Sequence, residues 1–172
     1  IISDAGTPTI SDPGLILVNR CIEEKINIFP IPGPSSITSA ISVSGFSDRF
    51  LFYGFLSKKE NEINSVLKNL SSLDYSIVFF ISAQKINYYM KFFKIHFSNR
   101  KILIAKEMTK LHEEFFRGDL KTIKYFNSNI KGELTVVLSK KIDNKYNKNI
   151  IEESVKKDIK KTLKKYSLKD VV

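Results

Sequence analysis

Apolar residues in this chain fall into short runs separated by polar, turn-forming stretches, and their spacing changes from run to run. Ile1-Ile2 reads as the end of a strand. It leads into residues 3–14, SDAGTPTISDPG, where Asp4, Gly6, Thr7, Pro8, Ser11, Asp12, Pro13 and Gly14 are backbone specialists or small polar groups. This is the pattern of a loop leaving a strand and starting a helix, with Asp12 as N-cap and Pro13 at the first helical position. Helical spacing follows over residues 13–25, with Leu17, Val18, Cys21 and Ile22 available for one face. Residues 26–31 form a nearly continuous apolar run, the pattern of a buried parallel strand. Residues 34–44 read as a second helix that Gly45 closes with a left-handed cap. Strand alternating with helix predicts a parallel sheet with helices on its faces.

Downstream, residues 50–55 and 76–82 read as strands, and residues 60–70 as a helix carrying Ile63, Val66, Leu67 and Leu70 on one side. Residues 83–97 place Ile86, Met90, Phe93 and Phe97 on one helical face, with Lys91 and Lys94 elsewhere. Aromatics interleaved with lysines can stack bases, but a core-facing stripe with a solvated back is the simpler account. Strands are predicted over residues 102–108 and 134–138, with a short helix over 120–126. Residues 143–149 are polar and read as a linker. Ile151, Val155, Ile159, Leu163 and Tyr166 then make a stripe on a last helix that is basic on its other side. The chain thus divides into an α/β unit over residues 1–48, a mixed α/β unit over 49–140, and a linker with the start of a helical region over 141–172.

Composition sharpens this picture modestly. Hydrophobic residues make up 42% of the 172, enough for a core. No apolar run approaches the ~18–20 residues of a membrane span, and the start has no basic signal-peptide region. Cys21 is the only cysteine, which cannot form an internal disulfide and suits a reducing cytoplasm, buried on the first helix. The net charge of +10 is compatible with a nucleic-acid partner. Only Arg20, Arg49, Arg100 and Arg117 are arginines, however, and the Lys-, Ile-, Asn- and Phe-rich usage also arises from AT-rich coding.

Several chemistries are disfavoured by what is missing. Neither G-x-G-x-x-G nor a P-loop occurs. His112-Glu113 lacks the second histidine of H-E-x-x-H, because position 116 is Phe116, and with His96 the only other histidine a zinc site has few ligands; no metal is expected. There is no G-x-S-x-G elbow. The loop at residues 3–14 is longer than a plain connection needs and sits where α/β sheets bind ligands, though an ordinary strand-to-helix turn gives the same composition. A second turn, Pro32-Gly33-Pro34-Ser35-Ser36, starts the next helix. Residues 106–114, KEMTKLHEE, are densely ionisable and follow a predicted buried strand; the alternatives are a solvated loop and a group that orients a hydroxyl or holds phosphate.

Taken together, SDAGTPTISDPG, IPGPSS at residues 31–36, FYGFL at 52–56, AKEMTKLHEE at 105–114, Arg117-Gly118 and Lys131-Gly132-Glu133 resemble, in order and spacing, the ribosomal RNA small subunit methyltransferase I family of the tetrapyrrole methylase superfamily. The resemblance implies a tetrapyrrole methylase-like α/β fold: a partial N-terminal α/β domain, a second mixed α/β domain and a basic C-terminal helix. It implies S-adenosylmethionine as cofactor between the first two domains, and as acceptor a cytidine ribose 2′-hydroxyl in 16S rRNA of the small subunit. The partners implied are that RNA and a homodimer mate, with a cytoplasmic location and no membrane. Carried over residue by residue, Asp4, Ala5, Gly6 and Thr7 fall where relatives bring backbone to the cofactor, and Ser35 and Ser36 on a second contacting turn. Gly6 permits close approach because it lacks Cβ, and free N–H groups at the start of the Ser35 helix can receive a carboxylate. Glu107 and Lys110 are the candidates for the acceptor side, without an assigned base.

The chain also departs from the family. The opening strand and TPIGNL-like loop do not appear before Ile1, and residues 167–172 resemble the start of the terminal helical region, so the resemblance implies an interior stretch of a longer protein that is inactive alone. Where relatives read YESPHR, this chain has Phe80-Ile81-Ser82-Ala83-Gln84-Lys85; Lys85 keeps charge but not the arginine fork. Two other readings stay open: a tetrapyrrole-type methylase of a small molecule, and an RNA-binding module that has lost catalysis.

Overall fold

Five segments, most of them rich in β-branched and aromatic residues, are strands in the computed structural model, which describes residues 1–3, 6–127 and 130–142. These are β1 (Phe50–Phe55), β2 (Ser76–Ser82), β3 (Lys101–Lys106), β4 (Glu114–Asp119) and β5 (Glu133–Leu138), in the sheet order β1-β2-β5-β3-β4. β1 and β2 are parallel, while β5 is antiparallel to both β2 and β3, and β4 is antiparallel to β3. It follows that β1, β2 and β3 point the same way and end on one rim, where β5 and β4 begin. The register across that rim sets Ile81 opposite Leu134 and Leu134 opposite Lys106, with Ser82 opposite Glu133.

Both faces of the central strands are covered, which is why β2 and β5 read as continuous apolar runs. One face, with Ile77, Phe79, Ile81, Ile102, Ile104 and Val136, packs against α3 (Glu60–Ser71) and α4 (Ile86–His96) through Ile63, Leu67, Met90 and Phe93. The other, with Val78, Leu103, Ala105 and Val137, packs against Ala40 of α2 (Ser36–Ser42). The Arg117 guanidinium of β4 donates to the Val43 carbonyl at 2.8 Å and ties the end of α2 to the sheet edge.

At the opposite rim, Arg100 is 1% exposed. Its guanidinium donates to the carbonyls of Tyr75 (2.8 Å), Ser139 (2.9 Å), Ser71 (3.3 Å) and Leu73, and stacks 5.1 Å from the Phe97 ring centroid. One side chain thus clips together the end of α3, the start of β2 and the end of β5. Burial holds its pKa below the usual arginine value, partly offset by Asp74.

The second half of the chain follows its predicted elements closely. Residues 50–55 and 76–82 are the strands expected, and residues 83–97 divide into one 3₁₀ turn (Ala83–Lys85) and α4. The stripe Ile86, Met90, Phe93 and Phe97 is core. Three readings there are corrected. The strand expected over residues 102–108 is β3, which ends at Lys106 because Glu107 turns to φ 47. Residues 120–126 are a turn: Ile123 N–H reaches Asp119 O at 2.8 Å, but Asn87 then takes both Phe126 backbone groups at 2.9 and 3.0 Å, ending the helix pattern after one turn. β4 appears where only an ionisable loop and Arg117-Gly118 were noted, because its Phe115 and Phe116 pair with Ala105 and Ile104 of β3.

Corrections are larger in the first half. Residues 26–31 form no strand, with Phe29 79% and Ile31 87% exposed. Ile2 is 97% exposed. A strand exists only through ladder bonds to a neighbour, and neither run finds one among the described residues, so no parallel sheet forms there. α1 spans Leu15–Glu23, shorter than expected; its N-cap is Gly14 at φ 136 rather than Asp12, so Pro13 lies outside it. It buries no residue fully, and Val18 and Cys21 are only half-buried, so the buried thiol expected on this helix is not found. Gly45, at φ +68, has the left-handed conformation expected after α2. The linker over residues 143–149 and the last helix lie outside the described residues.

Candidate active site

β3 delivers residues 106–114 to the rim shared with β1 and β2. There the chain folds into a tight turn rather than an open loop. Glu107 and Thr109 take positive φ of 47° and 66°, costly for non-glycine residues. The turn is held by Lys110 N–H to Glu107 O (3.0 Å), Glu113 N–H to Lys110 O (3.1 Å), and the Glu113 carboxylate, which accepts Thr109 N–H at 2.7 Å.

The side chains are fixed by the start of β5. Glu107 N–H donates to Glu133 O at 3.1 Å, and Glu133 N–H donates back to Glu107 Oε1 at 2.9 Å. Lys110 Nζ stands 3.1 Å from that same Oε1 and 3.4 Å from Glu133 Oε2. Gly132, at φ +101, supplies the space: a Cβ there would lie 2.6 Å from Glu107 Cδ. Lys106 pairs with Glu114 at 3.1 Å, so the rim alternates charges.

These contacts move the two pKa values apart. The Glu133 N–H first, then Lys110, hold the Glu107 carboxyl below its usual value. The Glu107 hydrogen bond is the main reason the Lys110 ammonium sits above its own, with Glu133 adding to it. A general base works best with a pKa near the operating pH, and both groups are moved away from neutrality. What the triad offers instead is a positioned cation with its outer side in solvent, since the Lys110 side chain is 52% exposed and that of Glu107 only 19%.

The other predicted residues divide. Asp4 and Ala5 lie outside the described residues. Gly6 adopts φ +72 with nothing within 4 Å of where a Cβ would stand, leaving its backbone open to approach; Ser3 Oγ donates to its carbonyl at 3.1 Å. Thr7 O accepts Ile10 N–H at 3.4 Å. Ser35 is the N-cap of α2 in position, but its hydroxyl makes no capping bond; its carbonyl accepts from Ser39 N–H (3.0 Å) and Thr38 Oγ1 (3.1 Å). Ser36 is exposed at the first helical position. The structure therefore joins Glu107 to Lys110, while no hydrogen bond or ion pair among the described residues links either to Gly6, Thr7, Ser35 or Ser36.

Ser11, within residues 6–14, reaches the sheet. β1 shifts register between Phe52 and Gly54, and Gly54 takes φ +85. A Cβ on Gly54 would stand 3.0 Å from Ser11 Oγ. Sequence reasoning assigned no role to Gly54, Gly132 or Glu133, although FYGFL and Lys-Gly-Glu carried part of the resemblance. The signal for each was a glycine inside or just before a strand, which marks a bulge or a close approach.

The chain is similar to several known proteins. Residues 1–124 match the Tetrapyrrole (Corrin/Porphyrin) Methylases family. A protein of Thermotoga maritima named ribosomal RNA small subunit methyltransferase I is 45% identical over 144 residues, covering 82% of this chain and 64% of that protein. The chain spans less than two-thirds of the length of the curated relatives it matches. Among solved structures, the methyltransferase CobJ aligns with a TM-score of 0.59 at 15% identity, over 78% of this chain and 62% of CobJ. Uroporphyrin-III C-methyl transferase from Thermus thermophilus, solved with S-adenyl homocysteine, aligns with a TM-score of 0.52 at 12% identity, over 78% of this chain and 62% of that one. At such identities the structural likeness speaks for fold alone. The family match covers most of the chain, and the mixed five-stranded sheet agrees with it: the chain belongs to the tetrapyrrole methylase family, with ribosomal RNA small subunit methyltransferase I proteins among its curated relatives.

Proposed function

We propose that this chain is part of an S-adenosylmethionine-dependent methyltransferase acting on small-subunit ribosomal RNA, with a cytidine ribose 2′-hydroxyl of 16S rRNA as acceptor. The observation that carries the reading is the 45% identity to a ribosomal RNA small subunit methyltransferase I, running through the segment that builds the Glu107–Lys110–Glu133 triad.

In this reading residues 1–48 supply the cofactor side and residues 49–140 the acceptor side, on either side of one cleft. Asp4, Ala5, Gly6, Thr7, Ser35 and Ser36 would hold S-adenosylmethionine; the open backbone at Gly6 and the uncommitted Ser35 and Ser36 hydroxyls suit a ligand of amino, carboxylate and hydroxyl groups. The cofactor supplies an electrophilic methyl group, and catalysis by the protein is then mainly positioning. Glu107 keeps Lys110 protonated and in place. Lys110 binds the RNA backbone or orients the acceptor hydroxyl, lowering the cost of negative charge that develops there. The proton leaves to water or to a group outside the triad.

The test is methyl transfer from labelled S-adenosylmethionine to undermethylated small subunits by the full-length protein. Incorporation into a cytidine 2′-position is the expected result. Transfer to a tetrapyrrole precursor instead would establish the small-molecule reading, and absence of cofactor binding by calorimetry would establish a binding module without catalysis.

A further inference from the structure

A pocket opens on the rim where β1 and β2 end. It has a volume of about 220 Å³ and is lined by Lys58, Lys85, Tyr88 and Tyr89. Its walls are tied to the fold. Tyr89 is buried, and its hydroxyl donates to the carbonyl of Ser57 at 3.1 Å, which fastens the segment after β1 to α4. Ser57 in turn donates to Glu62 at 2.6 Å and caps Lys59 N–H at 3.2 Å, so the turn carrying Lys58 is fixed. Tyr88, half-buried, is set edgewise between Tyr89 and Phe92, with ring centroids 5.2 Å apart in both cases. Ala83 N–H donates to Gly132 O at 3.2 Å, so the turn leading to Lys85 rests on the same Gly132-Glu133 step that holds Glu107 and Lys110.

The charges on this rim are unequally committed. Lys59, Lys106 and Lys110 are paired with Glu62, Glu114 and Glu107. Lys58 and Lys85 are exposed and have no ion pair among the described residues. Burial, and then Glu60 as the one anion acting on the ring, push the Tyr88 hydroxyl pKa up. Two uncommitted cations flanking a fixed aromatic ring are the elements that bind single strands: cations track phosphates and a ring stacks a base. The volume lies below the ~300–1,000 Å³ of sites for whole small molecules, which fits one unit of a longer chain. Two strand spacings, about 10 Å, separate β2 from β3 across β5, so the segments carrying Lys85 and Lys110 leave the sheet at the same rim, within the reach of neighbouring units of one polymer.

We infer that the Lys58–Lys85–Tyr88 pocket receives a nucleotide of single-stranded RNA flanking the one held at Lys110, its base against Tyr88 and its phosphates between the two lysines. The inference rests on the RNA reading above and adds a subsite to it.

The experiment is fluorescence anisotropy of a short single-stranded RNA with the full-length protein over a salt series. Lys58→Ala and Lys85→Ala are each expected to reduce the slope of log affinity against log salt by about 0.7. Tyr88→Leu is expected to weaken binding about five-fold or more, while Tyr88→Phe, which keeps the ring, stays near wild type. S-adenosylmethionine binding, measured by calorimetry, is unchanged in all four, which also reports that each variant is folded; should Tyr88→Leu not fold, the lysine pair decides. Binding that falls with Lys110→Ala but is unmoved in slope and affinity by the pocket variants overturns the subsite and leaves the RNA reading standing. A wild-type protein that binds no RNA at low salt overturns both.

Discussion

Gly132 lies directly beneath the carboxylate of Glu107: a Cβ at position 132 would stand 2.6 Å from Glu107 Cδ. The two residues are 25 positions apart, yet the left-handed backbone of one makes room for the side chain that fixes Lys110 at 3.1 Å. Gly132→Ala therefore attacks the site twice, through φ +101 and through the displaced carboxylate. The expected cost is about 1–2 kcal/mol of stability, read by urea unfolding, together with loss of RNA affinity. Wild-type RNA affinity in a folded Gly132→Ala protein would show that the Glu107 position is irrelevant.

Lys110→Ala in the full-length protein is expected to lower rRNA methylation about 10-fold or more while leaving cofactor binding intact. Lys110→Arg should recover part of the loss if the contact is to phosphate, because charge is kept though geometry changes. Unchanged methylation by Lys110→Ala at physiological salt removes this residue from the site.

The Glu107–Lys110 pair has a definite pH window. Glu107 titrates below its usual 4.5, so its contribution is present above that value and is lost as pH falls through the folded-state pKa. Lys110 titrates above its usual 10.5, so its contribution is complete below that value and is lost as pH rises through the folded-state pKa. A double-mutant cycle with Glu107→Gln and Lys110→Met should give a constant coupling between about pH 5 and 10, shrinking only outside it. Coupling that changes near neutrality would mean another titrating group controls the pair.

Arg100→Ala should destabilise the protein by about 3 kcal/mol or more, since it leaves the carbonyls of Tyr75, Ser139, Ser71 and Leu73 without their shared donor. Arg100→Lys is not expected to rescue it, because an ammonium cannot span the same fork. Thermal unfolding of both variants against wild type is the check; a Lys variant of wild-type stability would show that charge alone is needed.

Gly54→Ala tests the contact between residues 6–14 and the sheet. With φ +85 and Ser11 Oγ 3.0 Å from the added methyl, it should displace Ser11 and weaken cofactor binding, measured by calorimetry, more than RNA binding. Equal cofactor affinity would show that the Ser11 contact does not shape the cofactor side.

Much of this protein is legible in its sequence because local pattern and burial agree. SIVFFIS and ELTVVL are central strands covered on both faces, and only strands of that kind read as unbroken apolar runs. α3 and α4 show helical stripes because each packs one face on the sheet. The motifs that identify the family are also local, being turns whose glycines, prolines and small polar residues are required by the backbone. Pairing is different. Whether residues 26–31 become a strand depends on a neighbour, and among the described residues none is there, so the same apolar run that suggested a buried strand ends up exposed. β4 was missed for the converse reason: EFFRGD has no strong pattern of its own, and β3 makes it a strand. The candidate site divides along the same line. Lys110 and Glu107 are three residues apart and suggest each other; Glu133 and Gly132, which fix their geometry, arrive only because β5 inserts between β2 and β3. Chain order carries no record of that insertion: Lys131-Gly132-Glu133 stands out in the sequence as a motif, but only the folded sheet sets it against Glu107 and Lys110.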